Sequence, residues 1–175
     1  MIKIAFVGRK LAGKSFCAIY LKKQHGFTRM RMDDGVAKAM RFFYLYRPHE
    51  KIRWQDRLKF YDAWYKVDPN VHIGYAKHRL STVVNDVVIE DTRYLNELQE
   101  LKKLGFTIVR IAAPETRTNI KGTSTAAPGT LVLQEYFNED KTVGYSADYS
   151  IYNNTKAGTY RSLDALVDKL RNNDV

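Results

Sequence analysis

The octapeptide Gly8-Arg9-Lys10-Leu11-Ala12-Gly13-Lys14-Ser15 constrains this chain more than any other feature in it. It fits G-x-x-x-x-G-K-[ST] at every fixed position. It also follows the apolar run Ile2–Val7 directly and precedes a stretch of helical periodicity. Glycines at these two positions let backbone N–H groups turn inward around one anion. A helix that starts near Ser15 aims its positive end at the same anion. In a loop of this kind Lys14 reaches the β- and γ-phosphates of a nucleoside triphosphate, and the Ser15 hydroxyl ligates Mg²⁺. Gly8 to Ser15, with Phe16 behind them, are therefore the expected ATP-binding segment, with ATP and Mg²⁺ as donor and metal.

The same strand–loop–helix context fixes the fold class. Short apolar runs at Ile2–Val7, Phe27–Met32, Val87–Ile89, Phe106–Ile111 and Asp148–Tyr152 read as strands. Helical patterns lie between them at Ser15–Gln24, Val36–Tyr46, Lys51–Val67, Val71–Asn85 and Tyr94–Leu104. A last helix is expected from Ser162 through Leu170, with Ser162 as its cap. Strands alternating with helices imply an α/β fold, with a five-stranded parallel sheet covered on both faces. The 175 residues fit one domain. Its core is expected at 1–34 and 86–175, and an all-helical lobe at 35–85 lies over the carboxyl edge of the sheet, where ligands of open α/β sheets bind. Residues 114–130 carry Pro114, Gly122, Pro128 and Gly129 and read as a lid or flap.

Composition narrows the setting. A single cysteine, Cys17, excludes a disulfide framework and argues against a cysteine-based zinc site. The four histidines show no metal-ligand spacing. No apolar run approaches the ~20 residues of a membrane span. The first eight residues do not have the build of a signal peptide, so a cytoplasmic protein without membrane attachment is expected. Residues 1–80 hold 18 Lys/Arg against 6 Asp/Glu, net +12, whereas the rest hold 11 against 13, net −2. That asymmetry suits an anionic partner, either nucleotide phosphates or nucleic acid, and equally a solvated basic surface.

A phosphate loop needs a carboxylate to orient its metal. Val87-Val88-Ile89-Glu90-Asp91 is an apolar strand that ends in two acids, and in this fold class it lies beside the first strand. Asp91 is the expected metal carboxylate, and Glu90 alternates to the other side. Asp33 and Asp34 close the second strand. One of them, Asp33 ahead, is expected to accept a proton or orient an acceptor; capping a turn is the other role for such a pair. Arg93 and the flap residue Arg117 are candidates for stabilising transferred charge. Arg41, Arg47, Arg53 and Arg57 lie in the helical lobe; about two of them, Arg41 and Arg57 in front, are expected to face an acceptor phosphate. Trp54 stands among rings at helical spacing, where core packing and stacking on a base are both open.

Several of these segments resemble phage deoxynucleoside monophosphate kinases. The resemblance lies in Gly8–Ser15, in Asp33, in Val87–Arg93 with Tyr94-Leu95-Asn96-Glu97, and in Gly105–Ile111. "DPNVHI" at 68–73 is similar to the residues that precede this stretch in the family. "ADYSIYNNT" followed by "SLDALVDKL" is similar to the closing strand and helix of these enzymes and of dephospho-coenzyme A kinases, and the family resembled is related to adenylate-kinase-like enzymes. The resemblance implies the strand order 2-3-1-4-5, a helical substrate-binding lobe and an arginine-bearing lid. It also implies that Asp33 or Asp34 and Glu97 serve the acceptor, Arg93 the phosphates and Arg117 the lid, with Asn153 and Asn154 near the donor adenine. The expected activity is ATP- and Mg²⁺-dependent phosphorylation of a deoxynucleoside monophosphate. Alternatives are a kinase acting on a hydroxyl (a modified base in DNA or a coenzyme precursor) and a non-catalytic nucleotide-binding module. The expected partner is a small nucleotide, with DNA second, and the protein is expected as a monomer or homodimer.

Overall fold

The computed structural model describes residues 1–43, 52–114 and 145–172. Five strands form the sheet: β1 (Lys3–Val7), β2 (Thr28–Met30), β3 (Val87–Ile89), β4 (Thr107–Ala112) and β5 (Tyr149–Tyr152). They pair in the order β2-β3-β1-β4-β5, all parallel. The register sets Ala5 against Ile89 on one side of β1 and against Ile108 on the other. Parallel neighbours bring the carboxyl ends of β1, β2 and β3 to one edge, so the loops that leave them face the same region.

Side-chain alternation divides the interior into two cores. Ile4 and Phe6 of β1, Val88 of β3, and Val109 and Ile111 of β4 pack on one side of the sheet. They meet helices α1 (Lys14–His25) and α6 (Lys156–Asn172), which contribute Cys17, Leu21, Leu163 and Val167. Ala5, Val7, Val87, Ile89 and Ile108 point the other way. There they meet α5 (Leu95–Lys103), whose Leu98 and Leu101 have no solvent exposure. Each such leucine contributes roughly 2 kcal/mol by leaving water.

Between β2 and β3 run α2 (Asp34–Phe43), α3 (Trp54–Val67) and α4 (Val71–Leu80). Their buried residues Val36, Met40, Tyr61, Ile73 and Ala76 join the second core instead of building one of their own. This helical segment is therefore fastened directly to the strand ends it overhangs.

Two boundaries differ from the sequence expectation by five residues or more; the others differ by three or fewer. Helix α6 begins at Lys156, six residues before Ser162, which lies inside it and donates to the Gly158 carbonyl at 3.1 Å. Its opening turn is held by Thr155, whose Oγ1 accepts from Gly158 N at 3.2 Å. Gly158 had disguised that turn as loop. Helix α4 ends at Leu80, short of Asn85. The residues Tyr44–Lys51 and most of the expected flap, Arg117 included, lie outside the described residues. Among the described residues no helix is long and apolar enough to cross a membrane.

Candidate active site

The loop after β1 is shaped by positions that tolerate no side chain. Gly8 has φ 131°, and a Cβ there would overlap the Ile111 carbonyl oxygen, which is backbone and cannot yield. Gly13, at φ 101°, caps α1, and a Cβ there would overlap the Asn153 amide. Leu11 takes φ 63° although it is not glycine. Helix α1 carries no acid in its first turn and has Lys22, Lys23 and His25 in its last, so its positive end is left for an anion. The Lys14 ammonium folds over the loop, donating to the carbonyls of Gly8 at 2.5 Å and Arg9 at 2.9 Å. Ser15 is exposed on the first turn of the helix, and Arg9 and Leu11 are exposed on the loop. Ala12 is buried, and Phe16 stacks on Tyr160 at 5.3 Å.

The loop is braced from behind. Asn153, 7% exposed, donates its amide to the Ala12 carbonyl at 2.9 Å, and its Oδ1 accepts from Thr159 Oγ1 at 2.9 Å. The resemblance put Asn153 near adenine. In the structure its side chain is spent on fixing the height of the phosphate loop, and the exposed neighbour Asn154 is the one that faces outward.

At the ends of β2 and β3 two acids and three arginines converge. Asp91 Oδ1 accepts from Met32 N at 2.7 Å, which ties the two strand ends together. Asp91 Oδ2 is buried without a hydrogen-bond donor, with Arg31 Nε at 3.8 Å and an Arg93 Nη at 3.9 Å. Asp33 is 3% exposed. It accepts from Arg31 Nη2 at 2.9 Å, and Arg57 Nη1 stands 3.7 Å away. Arg31 Nε also comes within 2.9 Å of Asp33 Oδ1, but off the hydrogen-bond axis. Burial, and then the nearby Asp91 charge, push the Asp33 carboxyl up to about 6, against the pull of Arg31, Arg57 and Arg93. Burial and the Arg93 charge bring Lys10 of the loop down to about 8, which marks the loop and Arg93 as electrostatic neighbours.

The Asp91 carboxylate and the Ser15 hydroxyl are hard oxygen donors of the kind Mg²⁺ takes alongside substrate phosphates. The orphaned Asp91 Oδ2 is the observation that fits such an ion. Mg²⁺ there would neutralise charge on the donor phosphates.

The other expected site residues divide by contact. Glu90 is buried, paired with Arg29 through contacts of 2.7 and 2.5 Å, so it is a structural partner of β2. Asp34 closes the turn after β2 by accepting from Arg31 N at 3.1 Å, and Arg79 stands 3.8 Å from it. Glu97, which the resemblance assigns to the acceptor, is enclosed by the chain. It has no exposure, and its Oε2 accepts from Arg93 N at 2.8 Å and Tyr94 N at 3.1 Å in a capping box. Arg41 is exposed on the last turn of α2. Trp54 opens α3, and its side chain lies outside the described set.

Sequence reasoning missed Arg31, the residue at the centre of the cluster. Its signal was the alternation Arg29-Met30-Arg31-Met32, which sends both arginines to one face of an edge strand, opposite Glu90. Tyr61 was missed because it was one ring among many.

The chain matches no protein-family model and no curated protein sequence. Among solved structures it is similar to TT1252 from Thermus thermophilus, at 19% identity and a TM-score of 0.60, with 97% of each chain covered. It is also similar to shikimate kinase from Aquifex aeolicus, at 15% identity and a TM-score of 0.57 over 97% of this chain and 98% of that one. A gluconokinase from Sinorhizobium meliloti shares 16% identity at a TM-score of 0.50, over 99% of this chain and 98% of the other. The strand order, the loop after β1 and these likenesses together give the chain the P-loop kinase fold.

Proposed function

We propose that this protein transfers the γ-phosphoryl group of ATP, with Mg²⁺, to a deoxynucleoside monophosphate. The observation that carries the reading is the meeting of Arg31, Arg57 and Arg93 at Asp33 and Asp91, beside the phosphate loop. Arg31, Arg57, Arg93 and Lys10 gather around Asp33 and Asp91, with Glu90 3.5 Å from Arg31 but also held by Arg29, and this positive balance suits a further anion between them. Two of the similar structures are named as kinases of small molecules, which supports a small acceptor.

In this reading Lys14 and the loop amides hold the donor phosphates, and Ser15 and Asp91 are the groups that would hold Mg²⁺. The acceptor phosphate is already anionic near neutral pH. Its oxygen forms the new bond to the γ-phosphorus as the bond to the departing diphosphate breaks. Arg93 and Arg57 then serve by position and charge, and no strong base is required. Arg117 and Asn154 are proposed for the lid and the adenine, as the resemblance implies.

A second reading is favoured by one observation, the Asp33 carboxyl raised to about 6. A carboxylate poised near neutrality suits removal of a proton from a hydroxyl acceptor. The test is an acceptor screen with MgATP across dAMP, dCMP, dGMP, dTMP, their base-modified forms, hydroxyl compounds and duplex DNA. Turnover with one or more of the monophosphates is expected. Turnover confined to hydroxyl acceptors, with a rate that climbs as pH rises through about 6, selects the second reading instead.

A further inference from the structure

Helix α3 reaches the strand-end cluster through a side chain that the sequence does not single out. Tyr61 has no solvent exposure. Its ring is stacked on His72 at 3.5 Å and 7°, and the same imidazole places Nε2 2.8 Å from the Tyr61 carbonyl oxygen. The Arg93 guanidinium carbon lies 5.0 Å from the centre of the Tyr61 ring. The Tyr61 hydroxyl donates to Glu97 Oε1, and Glu97 Oε2 accepts from the Arg93 backbone N–H. One residue of the helical segment thus meets Arg93 twice: its ring faces the guanidinium, and its hydroxyl acts on the backbone through Glu97.

Arg93 has need of such a support. Its ion pair with Asp91 is long, at 3.9 Å, and its Nε is buried without a hydrogen-bond acceptor. A guanidinium that meets charge developing in a transition state is worth most when it is aimed beforehand. An aromatic face in a desolvated setting supplies that aim without competing for the N–H donors.

We propose that Tyr61 is a positioning residue that aims Arg93, tying the helices between β2 and β3 to the phosphoryl-transfer site. The kinetic part of this proposal rests on the transferase reading above. A side chain that only filled the core would act independently of Arg93, and this separates the two roles.

The test is a double-mutant cycle in the full chain with Tyr61→Leu and Arg93→Lys, measured with MgATP and the acceptors that turn over. Tyr61→Leu is expected to lower kcat roughly thirtyfold, the worth of a desolvated cation–aromatic contact, with KM for ATP held within about twofold. In the Arg93→Lys background it is expected to add almost nothing. Tyr61→Phe keeps the ring and is expected to keep most of kcat. Additive losses, or a Tyr61→Phe variant as damaged as Tyr61→Leu, overturn the proposal. A second measurement needs no turnover and no Tyr61 variant that folds. The Arg93 Nε–H resonance, assigned by its disappearance in Arg93→Lys, is expected to be shifted by the ring current in the wild-type protein. An unshifted resonance also overturns the proposal. A shifted resonance with no turnover on any acceptor overturns the transferase reading and supports the Tyr61–Arg93 contact.

Discussion

At the residue scale, neighbouring acids have been given different work by strand geometry. Asp91 holds the β2 end with one oxygen and leaves the other buried and free of donors, whereas Glu90 is consumed by Arg29. Asp91→Asn is therefore expected to cut kcat by roughly a hundredfold or more through loss of the metal-orienting charge. Glu90→Gln should instead appear mainly as a lower melting temperature, because it breaks a buried, charge-assisted pair. Steady-state kinetics and thermal melts on both variants check this. Asp33 makes a separate prediction. Its carboxyl is raised from 3.8 to about 6, so between those values the folded chain keeps a proton that the unfolded chain releases. Its contribution to stability therefore falls as pH rises from about 4 to about 6 and is constant above. Asp33→Asn removes that slope. The melting temperature of Asp33→Asn relative to wild type should be more favourable at pH 7 than at pH 4; an equal difference at both contradicts the shift.

The legible part of the site follows from this scale. Gly8–Ser15 could be read because the loop demands residue types that no other structure demands at that spacing. Asp91 could be told apart from Glu90 because a strand's period sends adjacent acids to different partners, Met32 N for Asp91 and Arg29 for Glu90. The roles of Arg31, Asn153 and Tyr61 were hidden because they come from partners far away in the chain: Glu90 and Asp91 for Arg31, Ala12 for Asn153, and Arg93 for Tyr61. A strand or helix pattern says which face a residue takes, but not what waits there.

At the element scale, the turn from β5 into α6 acts on the phosphate loop. Asn153 and Thr159 form a buried relay from α6 to the Ala12 carbonyl. Leaving one of these groups unsatisfied costs about 1–3 kcal/mol, and part of that cost should fall on the loop's shape. Thr159→Val is expected to raise KM for ATP several-fold with a smaller effect on kcat, and Thr159→Ser to restore it. An unchanged KM in Thr159→Val, measured beside its melting temperature, would mean that the relay does not set the loop. The same turn shows where element boundaries escape the sequence. Gly158 lowers the helical signal of α6, while Thr155 supplies a cap that is recognisable only once the helix is seen to start there. The central strands β1, β3 and β4, by contrast, were marked by short apolar, largely β-branched runs, which a parallel sheet buried on both faces needs; the edge strands β2 and β5 carry shorter, more polar runs.

At the scale of the whole molecule, the basic excess of residues 1–80 is partly turned inward. Arg29, Arg31 and Arg57 are committed to acids at the strand ends, and Lys14 folds over the loop. Much of the rest is exposed, Lys22, Lys23, Lys38, Lys59 and Lys66 included, so the excess is divided between the site and a solvated surface. The measurement that bears most directly on the central claim is the fate of the γ-phosphoryl label. ATP labelled at that phosphorus is incubated with Mg²⁺, the four deoxynucleoside monophosphates and duplex DNA, using wild-type protein and Lys14→Ala. The account predicts label in the β-phosphate of a deoxynucleoside diphosphate with the wild-type protein and none above background with Lys14→Ala. Label that appears with equal yield in both proteins, or in no acceptor while ATP binds tightly, would contradict it.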